Sequence, residues 1–457
     1  MEKRSDFASK LGMVLATAGS AVGLGNIWRF PVEAGNNGGA AFIIIYLMCV
    51  VLLGIPLMVA EFAVGRAAHT NTARAYKLLS KSTFWQQTGR LGVLTGWVIM
   101  GYYVVVSGWT LAYFFKALLT PPTKAASIAQ EPNYWADYFQ WLSADAVVPV
   151  LCLIAFTLMS HFIITRGVEK GIERFSKIMM PMLFILLIVL CVCSFFTKGA
   201  AEGLTFLFKP DFSKVTFGTI LAALGQAFFS LSIGMGCLCT YASYFTRETN
   251  LLGTAFKVAG IDTLVAIMAG IIIFPAVFSA GIHPDAGASL VFIALPGVFQ
   301  EAFGGLPWLA YAVSVMFYFL LILATLTSLV SLHEVPTAFL AEDFHMSRRR
   351  ATSVVTVTVI LVGTLCSLSM GPLSGYTLFD KNIFDCFDWV SSQVLLVVGG
   401  GMITFFVGWK LDAFTLRNEL TSDGLYSYRS RIWIVPLLRW FAPFVIMAIF
   451  LSGIGIL

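Results

Sequence analysis

The 457-residue sequence predicts an all-α polytopic membrane protein built from two inverted five-helix repeats plus one further helix. Three observations predict it. Apolar residues make up 58% of the chain and charged residues only 12%, against roughly 25% charged in soluble domains. Apolar runs long enough to cross a hydrocarbon layer of about 30 Å recur along its whole length. Runs one and six are each interrupted by a short glycine sequence, Gly23-Leu24-Gly25 and Gly234-Met235-Gly236. Inside a bilayer an unwound backbone survives only where its N–H and C=O groups are buried in protein or line a polar site. Two such breaks predict a buried site that holds something polar.

Span 1, residues 11–31, follows Met1-Glu2-Lys3-Arg4 and passes through the small residues Ala16-Thr17-Ala18-Gly19-Ser20. That start resembles a secretory signal, but the apolar run continues beyond the small residues and further spans follow, so a retained helix is expected. Spans 2 to 5 fall at 40–64, 91–116, 145–165 and 176–197. Of the connections, 65–90 carries Arg66, Arg74, Lys77 and Arg90, whereas 117–144 carries Pro121-Pro122 and Trp135 and predicts a loop with a short interfacial helix. Span 6, at 217–245, holds the second break, and spans 7 to 11 follow at 252–281, 306–338, 352–370, 389–409 and 438–457. The polar stretch 410–431 is expected on the cytoplasmic side.

Charge then orients the bundle. Of the 29 Lys and Arg, 22 fall in or beside intervals on one side, including Arg166, Lys170, Arg174 and Arg348-Arg349-Arg350; 6 fall on the other, and Arg29 lies within span 1. The positive-inside rule predicts a cytoplasmic N-terminus and, with eleven spans, an external C-terminus. The net charge of +5 follows from this asymmetry and requires no nucleic-acid partner. Because the breaks lie five spans apart, an odd number, the second repeat has the opposite membrane orientation. The expected organisation is one transmembrane domain over 1–457, with repeat one at about 8–200, repeat two at about 210–410 and the eleventh helix at about 432–457. The eight cysteines lack metal-type spacing and read as packing thiols.

The polar residues inside the spans define the chemistry. Unwinding at Gly23 and Gly25 frees carbonyls for a hard cation, and the following half-helix offers N–H groups to an anion, so a carboxylate and a sodium ion can lie side by side. Asn26 adds a neutral oxygen. Arg29 is costly to leave unpaired at this depth, and Asp388 at the start of span 10 is its candidate acid. In span 6, Ser230 and Ser232 bring hydroxyls while Phe229 and Met235 bring apolar bulk, a mixture suited to a zwitterion with a hydrophobic side chain. Asp262, deep in span 7, is a functional candidate by its position alone. Thr327-Ser328 are weaker signals, since hydroxyls in membrane helices commonly bond their own backbone. Glu61 and Glu334 are expected to be buried, and His333 to pack as a neutral ring.

The run Gly19-Ser20-Ala21-Val22-Gly23-Leu24-Gly25-Asn26-Ile27-Trp28-Arg29-Phe30-Pro31 resembles the neurotransmitter:sodium symporters (solute carrier family 6), especially their bacterial amino-acid members. Asn37-Gly38-Gly39-Ala40-Ala41-Phe42, Gly167 to Arg174, Thr240-Tyr241-Ala242-Ser243-Tyr244 and Asp388-Trp389-Val390-Ser391-Ser392 extend the resemblance over essentially the whole chain. The resemblance implies a symporter, not an enzyme, that imports a hydrophobic L-amino acid with sodium by alternating access. A substrate-sensing receptor or an uncoupled channel on the same fold is the alternative. It further implies one sodium site from the Ala21 carbonyl, Asn26, Ser230, Asp262 and the substrate carboxylate. A second would use the carbonyls of Gly19, Val22 and Ala324 with the hydroxyls of Thr327 and Ser328.

Substrate contacts implied in the same way are Ala21, Gly23, Leu24, Gly25, Ile99, Tyr103, Phe229, Ser230, Ser232, Met235, Ser328 and Leu332, with Tyr103 closing over the carboxylate. Gly23 stands where monoamine carriers have an aspartate, which favours an amino acid. The implied gates are Arg29 with Asp388 outside and Arg4 with Glu342 inside, where Phe7 replaces the usual tryptophan. Gly171 and Pro181 match a glycine-to-proline spacing that permits unwinding of helix 5. Chloride-binding relatives use a tyrosine, a glutamine and serines; here Tyr46, Gln226 and Ser230 remain but Ala266 replaces the serine of helix 7. Asp262 can supply the missing negative charge, so transport is expected not to require chloride. The expected partners are an amino acid and membrane lipid, with the oligomeric state open.

Overall fold

In the computed structural model, the described residues are 6–122, 133–279, 290–302, 306–428, 431–453 and 456. They form helices connected by short turns, with only an isolated bridge between Leu378 and Lys381. In chain order the helices are α1 (Lys10–Ala21), α2 (Gly25–Asn36), α3 (Ala40–Ala68), α4 (Thr72–Ser80), α5 (Thr83–Leu119), α6 (Tyr134–Ala144), α7 (Val148–Thr165) and α8 (Val168–Ser194). There follow α9 (Ala200–Phe208), α10 (Phe217–Ser230), α11 (Cys237–Ala242), α12 (Leu251–Ser279), α13 (Leu295–Ala302), α14 (Pro307–Asp343), α15 (Arg348–Leu368), α16 (Ile383–Lys410), α17 (Ala413–Thr421) and α18 (Ile434–Gly453).

Among the described residues, nine helices are long and apolar enough to span a membrane, and α1 with α2 forms a tenth span bent by 52°. The remaining predicted span is divided between the 14-residue α10 and the 6-residue α11. Both breaks therefore fall in the spans that the sequence marks. The expected interfacial helix near Trp135 is α6.

Local chemistry explains where each half-helix stops. The Ser9 side chain caps α1 by accepting from the Gly12 N–H at 3.0 Å. At Val22 the chain turns extended, with ψ 110°. Helix α10 opens with a reciprocal cap between Thr216 and Thr219. It ends at Ser230, earlier than the glycines at 234 and 236, because Ser232 already takes a left-handed φ of 56°. Gly234 continues at φ 86°, and a side chain there would meet the Leu396 carbonyl oxygen at 2.7 Å. Only glycine satisfies both the angle and the approach.

The long helices α5 and α14 are mostly buried and pack against each other at the centre, whereas α7, α8 and α18 present apolar faces outward. The breaks in spans 1 and 6 thus lie among protein rather than lipid, as unwound backbone requires.

Candidate functional site

Each break is held by polar groups from other helices. At the first, the Gly23 N–H donates to Asn26 Oδ1 at 2.9 Å, and Gln226 of α10 donates from Nε2 to the Gly25 carbonyl at 2.8 Å. At the second, Glu61 of α3 accepts the N–H of Gly234 at 2.8 Å and of Cys239 at 3.3 Å, one on each carboxylate oxygen. The Ser232 hydroxyl donates across to the Ser20 carbonyl at 2.8 Å, tying the two breaks together. Sequence reasoning left the role of Glu61 undecided; the structure makes it the buried acceptor that replaces the missing helix bonds.

Asn26, Ser230 and Asp262 meet in one fully buried cluster. The Asn26 amide nitrogen donates to Asp262 Oδ1 at 2.7 Å, to the Asp262 carbonyl at 3.0 Å and to Ser230 Oγ at 3.1 Å. Ser230 donates to both Asp262 oxygens, at 3.1 and 2.9 Å, and the Tyr46 hydroxyl donates to Oδ2 at 3.1 Å. The carboxylate therefore sits among Tyr46, Ser230 and Asn26, while buried Ala266 lies one turn further along α12. The Asn26 oxygen is turned to the Gly23 N–H, so the oxygens gathered here are those of Ser230, Asp262 and Tyr46, a set suited to a hard cation.

A second oxygen cluster lies against the same unwound segment. Ser328 donates to the Val22 carbonyl at 2.9 Å, and Thr327 reaches the Ala324 carbonyl at 2.9 Å and that of Val22 at 3.4 Å. A side chain added at Gly19 would touch Thr327 Cβ at 3.4 Å, so Gly19 packs directly on this group. All five residues inferred for the second sodium site are thus neighbours.

Above the first break is a cavity of about 250 Å³. Of the twelve substrate-contact candidates, Leu24, Tyr103 and Phe229 line it. Ala21, Ile99, Ser230, Ser232, Met235, Ser328 and Leu332 are buried. Gly23 faces Ser328 and Tyr103, the hydroxyl of the latter 3.1 Å from where a Gly23 side chain would begin, and Gly25 faces Phe229 and Ser230. The Tyr103 hydroxyl is buried beside Ser328 and the Leu24 backbone and makes no well-formed hydrogen bond to either. A buried orphan donor beside free backbone N–H groups fits a carboxylate. Trp28, Val32, Tyr102, Val106, Phe384 and Gln393 also line the cavity and were missed. Helical spacing could have found several, since Trp28 and Val32 flank Arg29, Val106 lies one turn beyond Tyr103, and Phe384 one turn before Asp388.

The outer gate pair departs from expectation. Arg29 and Asp388 line the same cavity but do not form an ion pair; among the described residues Arg29 pairs with Glu33 at 3.8 Å, one turn along α2. Its guanidinium also lies 4.6 Å from the centre of the Phe229 ring. The i,i+4 spacing and the aromatic face hold it back from Asp388.

At the opposite end, Arg4 lies outside the described residues. Glu342 accepts from the Thr70 hydroxyl at 2.8 Å and from the Asn71 backbone at 2.7 Å. Phe7 fills the packing role despite replacing a larger residue. Its N–H donates to the Tyr244 carbonyl at 3.1 Å, and its ring meets Tyr241, Tyr244 and Phe245. Glu173 accepts from the Ala8 N–H and the Ser9 hydroxyl, both at 2.7 Å. Gly171 lies in a widened turn, Val168–Glu173, at the start of α8, and Pro181 lies further along the same helix.

Known proteins match this architecture from end to end. The model of the sodium:neurotransmitter symporter family matches residues 4–137 and 123–456. An uncharacterized sodium-dependent transporter of Bacillus subtilis, YhdH, is 38% identical over 461 residues, covering 100% of this chain and 99% of its own. A second, from Haemophilus influenzae, is 34% identical over 466 residues and 99% of both chains. The crystal structure of MhsT in complex with L-phenylalanine superposes with a TM-score of 0.88 at 41% identity, over 99% of this chain and 100% of that one.

Proposed function

The chain belongs to the sodium:neurotransmitter symporter family, and on that premise we propose that it imports a hydrophobic L-amino acid with sodium, independently of chloride. It is a sodium-dependent, multi-pass membrane transporter, not an enzyme. The observation that carries the finer reading is the convergence of two oxygen clusters on residues 19–26, beneath the orphan Tyr103 hydroxyl. The substrate carboxylate would meet Tyr103 and the N–H groups of the unwound segment, and would complete the coordination of the sodium ion beside Asn26, Ser230 and Asp262.

That shared ligand couples the two cargoes, since each raises the affinity of the other by the same factor. Leu24 and Phe229 line the cavity and buried Met235 and Ile99 would extend an apolar wall for the side-chain end, and the phenylalanine bound by MhsT supports a substrate of this class. Asp262, held by Tyr46 and Ser230, provides a fixed negative charge next to sodium, which is the role a chloride ion would otherwise fill. We place the N-terminus in the cytoplasm on the charge asymmetry.

The test is uptake of a panel of labelled amino acids into proteoliposomes, with and without an inward sodium gradient and with gluconate replacing chloride. Accumulation of hydrophobic amino acids above the external concentration, dependent on sodium and unchanged in gluconate, is expected. Mere equilibration would indicate a channel and would remove the coupling assignment.

A further inference from the structure

At the end of the bundle rich in positive charge, the α7–α8 turn and the start of α15 enclose a groove of about 900 Å³. Arg166, Lys170, Arg174 and Arg349 line it together with Phe162 and Ser353. The four cations are exposed, and none has an ion pair or side-chain hydrogen bond among the described residues. Their neighbours are different. Lys177 is paired with Glu173 at 2.6 Å and Arg348 with Glu334 at 2.5 Å. Glu169 and Glu173, the acids adjacent to Lys170 and Arg174 in sequence, do not line the groove. Four like charges around one concavity repel one another and attract an anion.

The walls identify what carries that anion. On α7, Leu158 and Phe162 lie one turn apart and are 38% and 61% exposed. On α15, Val354, Val357 and Leu361 are 40%, 56% and 60% exposed. Two apolar helix faces thus lead from the groove into the span, where acyl chains cover them. A soluble anion would meet the cations alone, whereas an amphiphile held in the surrounding bilayer meets the cations and the apolar faces together.

We infer that this groove binds the phosphate headgroup of an anionic glycerophospholipid. Arg166, Arg174 and Arg349 receive the phosphodiester oxygens through paired N–H groups, Lys170 adds a compact charge, and one acyl chain lies along Phe162 and Val357. The location in the cytoplasmic leaflet rests on the orientation proposed above. The turn that carries Lys170 also carries Glu173, which anchors Ala8 and Ser9, so the lipid braces the segment that holds Phe7 in place.

The experiment uses the full chain in nanodiscs of equal parts phosphatidylcholine and phosphatidylglycerol, with lipids retained after detergent washing counted by native mass spectrometry. The wild type is expected to keep phosphatidylglycerol in preference to phosphatidylcholine. The variant Arg166→Gln/Lys170→Gln/Arg349→Gln should lose that preference by about tenfold or more, whereas Arg166→Lys/Arg349→Lys should keep most of it. Equal retention by wild type and glutamine variant overturns the proposal. Displacement by inorganic phosphate, beyond that by sodium chloride of equal ionic strength, overturns the lipid assignment in favour of a soluble anion. A measurement on the wild type alone covers the case in which the variant does not fold: photoreactive phosphatidylglycerol should label peptides from 158–170 and 349–357, and labelling only elsewhere overturns the site.

Discussion

Gly23 has no side chain because Ser328 and Tyr103 already occupy the space one would fill. In Gly23→Ala the new methyl would crowd both hydroxyls, and overpacking of this kind costs about 1–3 kcal/mol. The apparent Michaelis constant for substrate is expected to rise about tenfold or more on that scale, read as sodium-driven uptake, while the detergent-solubilised protein keeps its fold by circular dichroism. Asp262 is the complementary case, since its carboxylate accepts from Asn26, Ser230 and Tyr46. Asp262→Asn preserves the shape and removes the charge. Uptake in gluconate should fall by about 100-fold, on the order of 3 kcal/mol, and chloride should restore part of it. Uptake equally insensitive to chloride in both proteins would refute the charge-substitution role of Asp262.

The second break shows how an element can be interrupted without exposing its backbone. Glu61 takes the N–H groups on both sides of the gap, so Glu61→Gln replaces one acceptor oxygen with a donor and leaves a buried N–H unpaired. A loss of about 1–3 kcal/mol is expected, visible as a lower melting temperature that added substrate only partly recovers. Much of this architecture was legible in the sequence. Glycine pairs inside apolar runs mark unwinding directly, and Asn26, Ser230, Asp262, Thr327 and Ser328 are polar residues at depths where polarity has a cost. The partnerships were less legible. Glu61 was visible as a buried acid, but its use depends on α3 passing beside the second break. Arg29 was matched with Asp388, and the rotamer that turns it to Glu33 and the Phe229 face depends on packing rather than on spacing alone. The early end of α10 followed from Ser232 bonding to Ser20, a contact between distant segments.

At the scale of the whole molecule, Phe7 packs against three aromatic rings towards one end, while at the other Arg29 and Asp388 border a cavity without closing it. Sodium and substrate should therefore stabilise this arrangement as ligands of the folded state. At a sodium concentration about 100 times its dissociation constant the gain is about 2.7 kcal/mol, so the melting temperature in sodium should exceed that in potassium by several degrees, with a further rise on adding phenylalanine. Identical melting curves in the two salts would argue against sodium binding to this form. The two oxygen clusters also share a boundary one residue wide: the Val22 carbonyl faces Thr327 and Ser328, and the next N–H, that of Gly23, turns to Asn26. For a lineage drifting towards another ion, or for an engineer attempting the same change, neither position can be retuned by itself. A peptide plane rotated to suit one cation misaligns the donor that orders the other, so paired substitutions across the two clusters should be strongly epistatic, and viable changes of ion preference should arrive as coordinated sets.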